Sequence, residues 1–235
     1  MLFRSHQVLY PDYMPLPGGP ADKLGNRYEL WWTISQLQRM LHGALTSIRI
    51  EDPGIQKCEF VTFRDSDREL HQAKRSHPNG RWTIADLAGS SHRLIQSIGA
   101  QLNGNEYRFV FVSSSDAREL AELTERARYS ANEKEFEGLF VAAKEQSQKL
   151  TRLRGYWDAC DIATAYDRLC RIEIRTIDER GIREQARLGA QALFLAKPDD
   201  VCGELRTVAL NSVHETWTRQ ALVEHLQQKV SLSVG

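Results

Sequence analysis

The stretch RELHQAKRS, residues 68–76, alternates like a β-strand but carries polar side chains on both of its faces. Successive strand residues point to opposite sides, so Leu70, Gln72 and Lys74 share one face while His71, Ala73 and Arg75 share the other. A half-buried strand ordinarily keeps one face apolar, so the polar groups here call for a role beyond packing. Immediately upstream, CEFVTF (58–63) reads as a second strand with Glu59, Val61 and Phe63 on one face, and RDSD (64–67) as a polar turn. The two strands are therefore expected to form an antiparallel hairpin. A turn with an even number of residues, such as Ser66-Asp67, sets Glu59 opposite Lys74 or Gln72; an odd count moves Glu59 to the Ala73 face. Given the even turn, Glu59, Gln72 and Lys74 converge on one surface.

Outward from this hairpin the elements follow in simple order. Between Gly25 and about His42, Leu30, Ile34, Leu37 and Leu41 recur at three- and four-residue steps and Gly43 stops the run, which predicts a helix. SIRIED (47–52) is a short strand closed by Pro53-Gly54. Downstream, Trp82 leads into a predicted helix over 83–102 with a weak point at Gly89, and YRFVFVSSS (107–115) reads as a buried strand. A helix capped by Ser115 or Asp116 comes next. The rest is mainly helical, apart from the alternating segment RIEIRTID (171–178). The fold class expected is α/β: an α-β-β-β-α-β core with a mixed sheet, followed by a mainly helical C-terminal region. The expected division is a flexible leader over 1–22, a core over 23–155, and a helical connector or annex over 156–235. The last part is expected to lead into a further module, the chain being read as a fragment of something longer.

Lys+Arg equals Asp+Glu at 31 each, so no global field directs the chain to nucleic acid, membrane or an acidic partner, and any such binding needs a local patch. Lys74, Arg75, Arg81 and Arg93 supply one around the hairpin. Arg75, Arg81 and Arg93 are the candidates for contacting phosphate groups of a nucleic acid such as DNA. Cys58, Cys160, Cys170 and Cys202 show no CxxC or Cys/His metal spacing, which favours reduced thiols and a cytoplasmic location. No run approaches a membrane span, so no membrane partner is expected. His71, His77 and His92 fit no metal motif and read as surface or loop residues, while Trp31, Trp32 and Trp82 read as core.

The convergent trio has a chemical use. Hydrolysing a phosphodiester requires a hard cation to neutralise phosphate oxygens, with an activated water nearby. Magnesium takes oxygen ligands and keeps several waters, so a carboxylate and an amide carbonyl make a partial shell, and an adjacent lysine can position the water. Glu29, on the first helix, adds a second carboxylate if that helix packs across the hairpin; Glu51 and Asp52 are further candidates. No GxxxxGK[ST] is present, so no ATP site is expected in this chain.

With GNRYE (25–29), SIRIEDPG (47–54), CEF (58–60), HQAKR (71–75) and FVFVSS (109–114) in view, Gly25 to Ser115 resembles the PD-(D/E)xK nuclease superfamily. The variant is the QxK form seen in Mrr-like restriction endonucleases. The likeness is closest to the nuclease domains at the N-termini of bacterial antiviral STAND NTPases, and in related effector nucleases of cyclic-oligonucleotide defence systems. The resemblance implies a restriction-endonuclease-like core and cleavage of double-stranded DNA with Mg²⁺ or Mn²⁺ held by Glu59 and Gln72. Lys74 takes the catalytic lysine position and Glu29 that of the first-helix acid. It also implies activation by assembly, through a homo-oligomer or a downstream sensor or NTPase module. Glu59 stands where Asp is usual and Gln72 lacks a negative charge, which leaves as alternative a nuclease-like module that binds DNA or protein without cutting.

Overall fold

The computed structural model describes residues 18–230 except 53, 56, 90, 91, 142, 194 and 195. Among them, six strands form one sheet in the order β5-β4-β3-β2-β1-β6. Helix α1 (Gly18–Leu41) precedes strands β1 (Ser47–Ile50), β2 (Phe60–Arg64) and β3 (Asp67–Lys74); α2 (Ile84–Ala88) and α3 (Leu94–Gln101) lead to β4 (Tyr107–Ser113). Helices α4 (Arg118–Tyr129), α5 (Glu133–Val141), α6 (Lys144–Tyr156) and α7 (Ile162–Cys170) follow. The chain then forms β5 (Ile172–Thr176), α8 (Glu179–Leu193), α9 (Pro198–Asn211), β6 (Thr216–Thr218) and α10 (Arg219–Val230). The sheet is mixed: β6, β1, β2 and β3 pair antiparallel, whereas β3, β4 and β5 run parallel. This is the expected α/β class, with the α-β-β-β-α-β order and a helix-rich C-terminal part. The sheet also continues past residue 155, since β5 and β6 occupy its two edges.

The hairpin forms with an even turn. Arg64 pairs with Asp67, so the loop is Asp65-Ser66, one residue earlier than Ser66-Asp67. Asp65 adopts φ 50°, the left-handed conformation that tight hairpin turns require and that Asp tolerates better than most residues. The register continues through Val61–Leu70 and Phe60–His71, which sets Glu59 against Gln72.

Alternation then sorts the two cores. Val61, Leu70, Phe109, Phe111 and Ile172 face one way and pack with Leu87, Ile98, Leu123 and Leu153 of α2, α3, α4 and α6. Ile48, Ile50, Phe60, Ala73, Val110 and Val112 face the other way, against α1, α8, α9 and α10 through residues such as Ile34, Leu37, Ile182, Leu205 and Leu222. Both faces of the sheet are covered, which explains why its central strands read as apolar runs.

Three local differences from the sequence reading have plain causes. Helix α1 starts at Gly18, inside the stretch expected as leader; Pro20 falls in the first turn, whose N–H groups have no intrahelical partner to lose. The rest of that leader, 1–17, and the tail 231–235 lie outside the described residues. The helix predicted over 83–102 is two helices. The Thr83–Asp86 capping box starts α2, and Gly89 ends it in extended backbone (ψ 159°). Helix α4 begins one residue later than expected, with Ala117 at its N-cap and so no side-chain cap, while Ser115 Oγ accepts from His77 N at 2.9 Å. Elsewhere Trp157 donates from Nε1 to Ile95 O at 2.7 Å and lies against Gly99, where a Cβ would overlap the indole. Among the described residues no helix is long and apolar enough to cross a membrane, and all four cysteines are free.

Candidate active site

The register brings Glu59 and Gln72 face to face, and Gln72 Nε2 donates a hydrogen bond to Glu59 Oε1. Two residues on, at the C-terminal end of β3, Lys74 Nζ lies 3.6 Å from Glu59 Oε1 and 3.4 Å from Glu29 Oε1. Glu29 arrives from α1, which crosses the other face of the sheet, so all four side chains predicted for catalysis meet at one end of one strand. The place is a general one: in open α/β sheets, ligands bind beyond the carboxyl ends of parallel strands.

The electrostatics follow from that crowding. Burial, and next the charge of Glu29, push the Glu59 carboxyl up from 4.5 to about 7, while Lys74 and the Gln72 amide hold it down. Two carboxylates share one ammonium, leaving a negative excess at a partly enclosed point. Gln72 is almost fully buried, while about a quarter of the Glu59 and Glu29 side chains stays accessible.

The donor set suits a hard divalent cation. Two carboxylates and the Gln72 carbonyl oxygen are oxygen ligands of the kind Mg²⁺ and Mn²⁺ accept while retaining water, and a cation there relieves the Glu29–Glu59 repulsion. The Gln72 side chain presents its nitrogen to Glu59, so the amide must turn over to offer its oxygen. Among the described residues no group of three His, Cys, Asp or Glu side chains forms a metal cage, so the set is acid–acid–amide. Asp52 is engaged elsewhere, by Arg49 at 3.2 Å and the Gly54 N–H at 2.9 Å. Glu51 donates its backbone N–H to Glu59 O at 2.9 Å.

The three arginines proposed for phosphate contact are spread out. Arg75 adjoins Lys74, but its Nε lies 3.2 Å from Glu179 Oε2. The other oxygen of Glu179 takes Arg27 Nε at 2.5 Å. Arg81 is exposed and lines a groove with Asp116, Arg118 and Glu122, while Arg93 lines a different one with Lys57 and Gln96.

His71 corrects the reading of it as a surface residue. It is fully buried on the α1 face of the sheet, stacked on Phe60. Its Nδ1 accepts from Trp32 Nε1 at 3.3 Å, and its Nε2 lies 3.1 Å from Thr62 Oγ1. Burial first of all keeps its pKa below the ordinary value. It is a satisfied core histidine, out of reach of any phosphate. The expected core role holds for Trp32 and Trp82, both nearly fully buried. Trp31 is only partly buried and packs against the α1-side core.

Glu179, Arg27, Lys57 and His92 escaped the sequence reading as site residues. Lys57 stands two residues before Glu59 and was within its reach; Glu179 lies 104 residues from Arg75 and had no local signal.

The sequence matches no protein-family model and no curated protein. The fold, however, has solved counterparts. It is similar to the Cap4 SAVED/CARF-domain containing receptor of Acinetobacter baumannii, solved with the cyclic trinucleotide 2'3'3'-cAAA. The TM-score is 0.55 at 13% identity, covering 87% of this chain and 45% of that one. The Moraxella osloensis Cap4 receptor aligns with a TM-score of 0.51 at 12% identity, over 88% of this chain and 48% of that one. The likeness is one of fold, and this chain spans less than half the length of those receptors.

Proposed function

We propose that this chain is a metal-dependent endonuclease domain that hydrolyses phosphodiester bonds of double-stranded DNA, as the effector part of a bacterial anti-phage defence protein. One observation carries the reading. Glu29, Glu59, Gln72 and Lys74, the residues that the nuclease resemblance selects, converge on the end of β3 although up to 45 residues separate them. The solved counterparts support the defence setting: the Acinetobacter receptor takes cyclic trinucleotides, and both receptors are about twice the length of this chain.

In this reading Glu59, Gln72 and Glu29 hold Mg²⁺ or Mn²⁺, which when bound supplies Lewis acidity toward the phosphate oxygens. Lys74, placed between Glu29 and Glu59, would orient a water in line with the phosphorus–oxygen ester bond and offset the negative charge that develops there. The water's oxygen bonds to phosphorus as it gives up a proton to solvent, the ester bond breaks, and the leaving oxygen takes up a proton from solvent. Arg75 adjoins this point and can hold a neighbouring phosphate once free of Glu179.

A second reading comes from the cyclic trinucleotide in the Acinetobacter receptor: a module that binds a cyclic oligonucleotide and does not cut. The experiment is to incubate the chain, alone and fused to a dimerising coiled coil, with supercoiled plasmid and Mg²⁺ or Mn²⁺. Nicking or linearisation that EDTA and Lys74→Ala abolish supports the nuclease. Plasmid binding without cleavage supports the inactive DNA-binding module. Binding of a cyclic trinucleotide by calorimetry, with neither, supports the sensor.

A further inference from the structure

Beside Lys74 the structure holds a cavity of about 80 Å³, bordered by Lys57, Gln72, Lys74, Trp82 and His92, with Leu87 and Leu94 as apolar wall. Among the described residues no carboxylate lines it. Its polar lining residues are two lysines, a histidine and a glutamine. We propose that Lys57 and His92 form, with Lys74, an anion subsite that takes one phosphate group of the substrate backbone next to the phosphate being cleaved. This deepens the nuclease reading and rests on it for the identity of the substrate.

The size selects the ligand. The cavity is small, with room for a few water-sized groups beside the Lys57 and His92 side chains. That suits a tetrahedral oxyanion such as one backbone phosphate. The walls are also fixed in advance. Trp82 is buried and donates from Nε1 to Ser113 Oγ at 2.8 Å, and the His92 ring meets its indole edge-on with centroids 5.2 Å apart. The break after α2 is what places His92 there, since a continuous helix would carry it round with its own turn. The electrostatics agree. Burial, then Lys74, His77 and Lys57, hold the His92 pKa below its ordinary value, and Asp86 opposes them. Asp86 is itself held by Thr83, whose N–H donates to it at 2.9 Å and whose hydroxyl donates at 2.6 Å. Lys74 has Glu29 and Glu59 on its far side, whereas no carboxylate among the described residues lines the cavity, so an anion there meets Lys57 and His92 without an acidic neighbour in the wall.

The test uses inorganic phosphate as probe, read through the His92 ring resonances of the full chain by NMR. In the wild type these resonances are expected to shift on titration with phosphate, and the shift is expected to be lost in Lys57→Ala. Flat resonances in the wild type, or an undiminished shift in Lys57→Ala, overturn the subsite. A second arm measures binding of a labelled DNA duplex against salt. Lys57→Ala is expected to reduce the slope of log K on log [salt] by about 1. His92→Asn, checked for an unchanged melting temperature, is expected to weaken binding as well. A phosphate-induced shift in a protein that cuts no plasmid leaves the subsite standing and removes the nuclease. Cleavage with flat resonances removes the subsite alone.

Discussion

Replacing Glu59 by glutamine should make the protein more stable at alkaline pH, although it removes a residue central to the proposed activity. Glu59 is buried beside Glu29, and its carboxyl is pushed from 4.5 to about 7. Between those values the folded protein keeps a proton that the unfolded chain has released, so stability is fully present below pH 4.5 and falls as pH rises through 7. The full displacement corresponds to roughly 3 kcal/mol. With a quarter of the side chain still accessible, solvent screens part of it and about 1–2 kcal/mol is expected. The amide introduced by Glu59→Gln can still accept from Gln72, and Lys74 keeps Glu29. For a chain of this length the change is worth roughly 2–8 °C in Tm at pH 8. The assay is thermal denaturation of both proteins, without divalent cations, from pH 4.5 to 8. The difference should be near zero at the acid end and open steadily toward pH 8. A difference independent of pH, or a wild type that is the more stable at pH 8, would show that Glu59 is not held against ionisation.

Burial of His71 acts in the opposite sense. Its folded pKa is depressed, so the stability it contributes is present above the ordinary histidine range and is lost as pH falls below it. Its ring resonances should stay those of a neutral imidazole at pH values where a free histidine is charged, and a ring that titrates normally refutes the buried arrangement. Glu179→Gln frees Arg27 and Arg75 from a shared carboxylate and should raise duplex affinity by roughly three- to tenfold. Fluorescence anisotropy at fixed salt decides this, and unchanged or weaker binding counts against a competing role for Glu179. Gly99→Ala drives a methyl into the Trp157 indole and should cost about 1–3 kcal/mol, measured by denaturant unfolding. An unchanged midpoint would mean that α3 and Trp157 can move apart freely.

The hairpin and its site were legible because they depend on parity. Glu59, Gln72 and Lys74 share a surface for any two-residue turn, so shifting the loop from Ser66-Asp67 to Asp65-Ser66 changes which residue faces Glu59 but not the face it occupies. The central apolar strand and the weak point at Gly89 were likewise written locally, in aromatic and β-branched density and in one glycine. What escaped depends on distant partners. His71 looks like a surface residue among polar neighbours, and only Trp32 and Phe60 closing over it make it core. The Glu179 bridge joins α8 to α1 and to the end of β3, a meeting that no local spacing encodes. Helix α1 runs further back than its apolar rhythm indicated, because Pro20 is harmless in a first turn.

The chain separations inside the site carry a consequence for how it comes into being. Glu59 and Gln72 are 13 residues apart across a two-residue loop, and such hairpins close in about 1–10 μs. Glu29 reaches Lys74 across 45 residues, and Glu179 reaches Arg75 across 104, so both wait for the helical layer to dock. A nascent chain can thus pair Glu59 with Gln72 early, while Glu29 joins once α1 packs on the sheet and Glu179 only once α8 is made. Arg75 therefore stays free of Glu179 in any partly made chain and is held back only when α8 has docked.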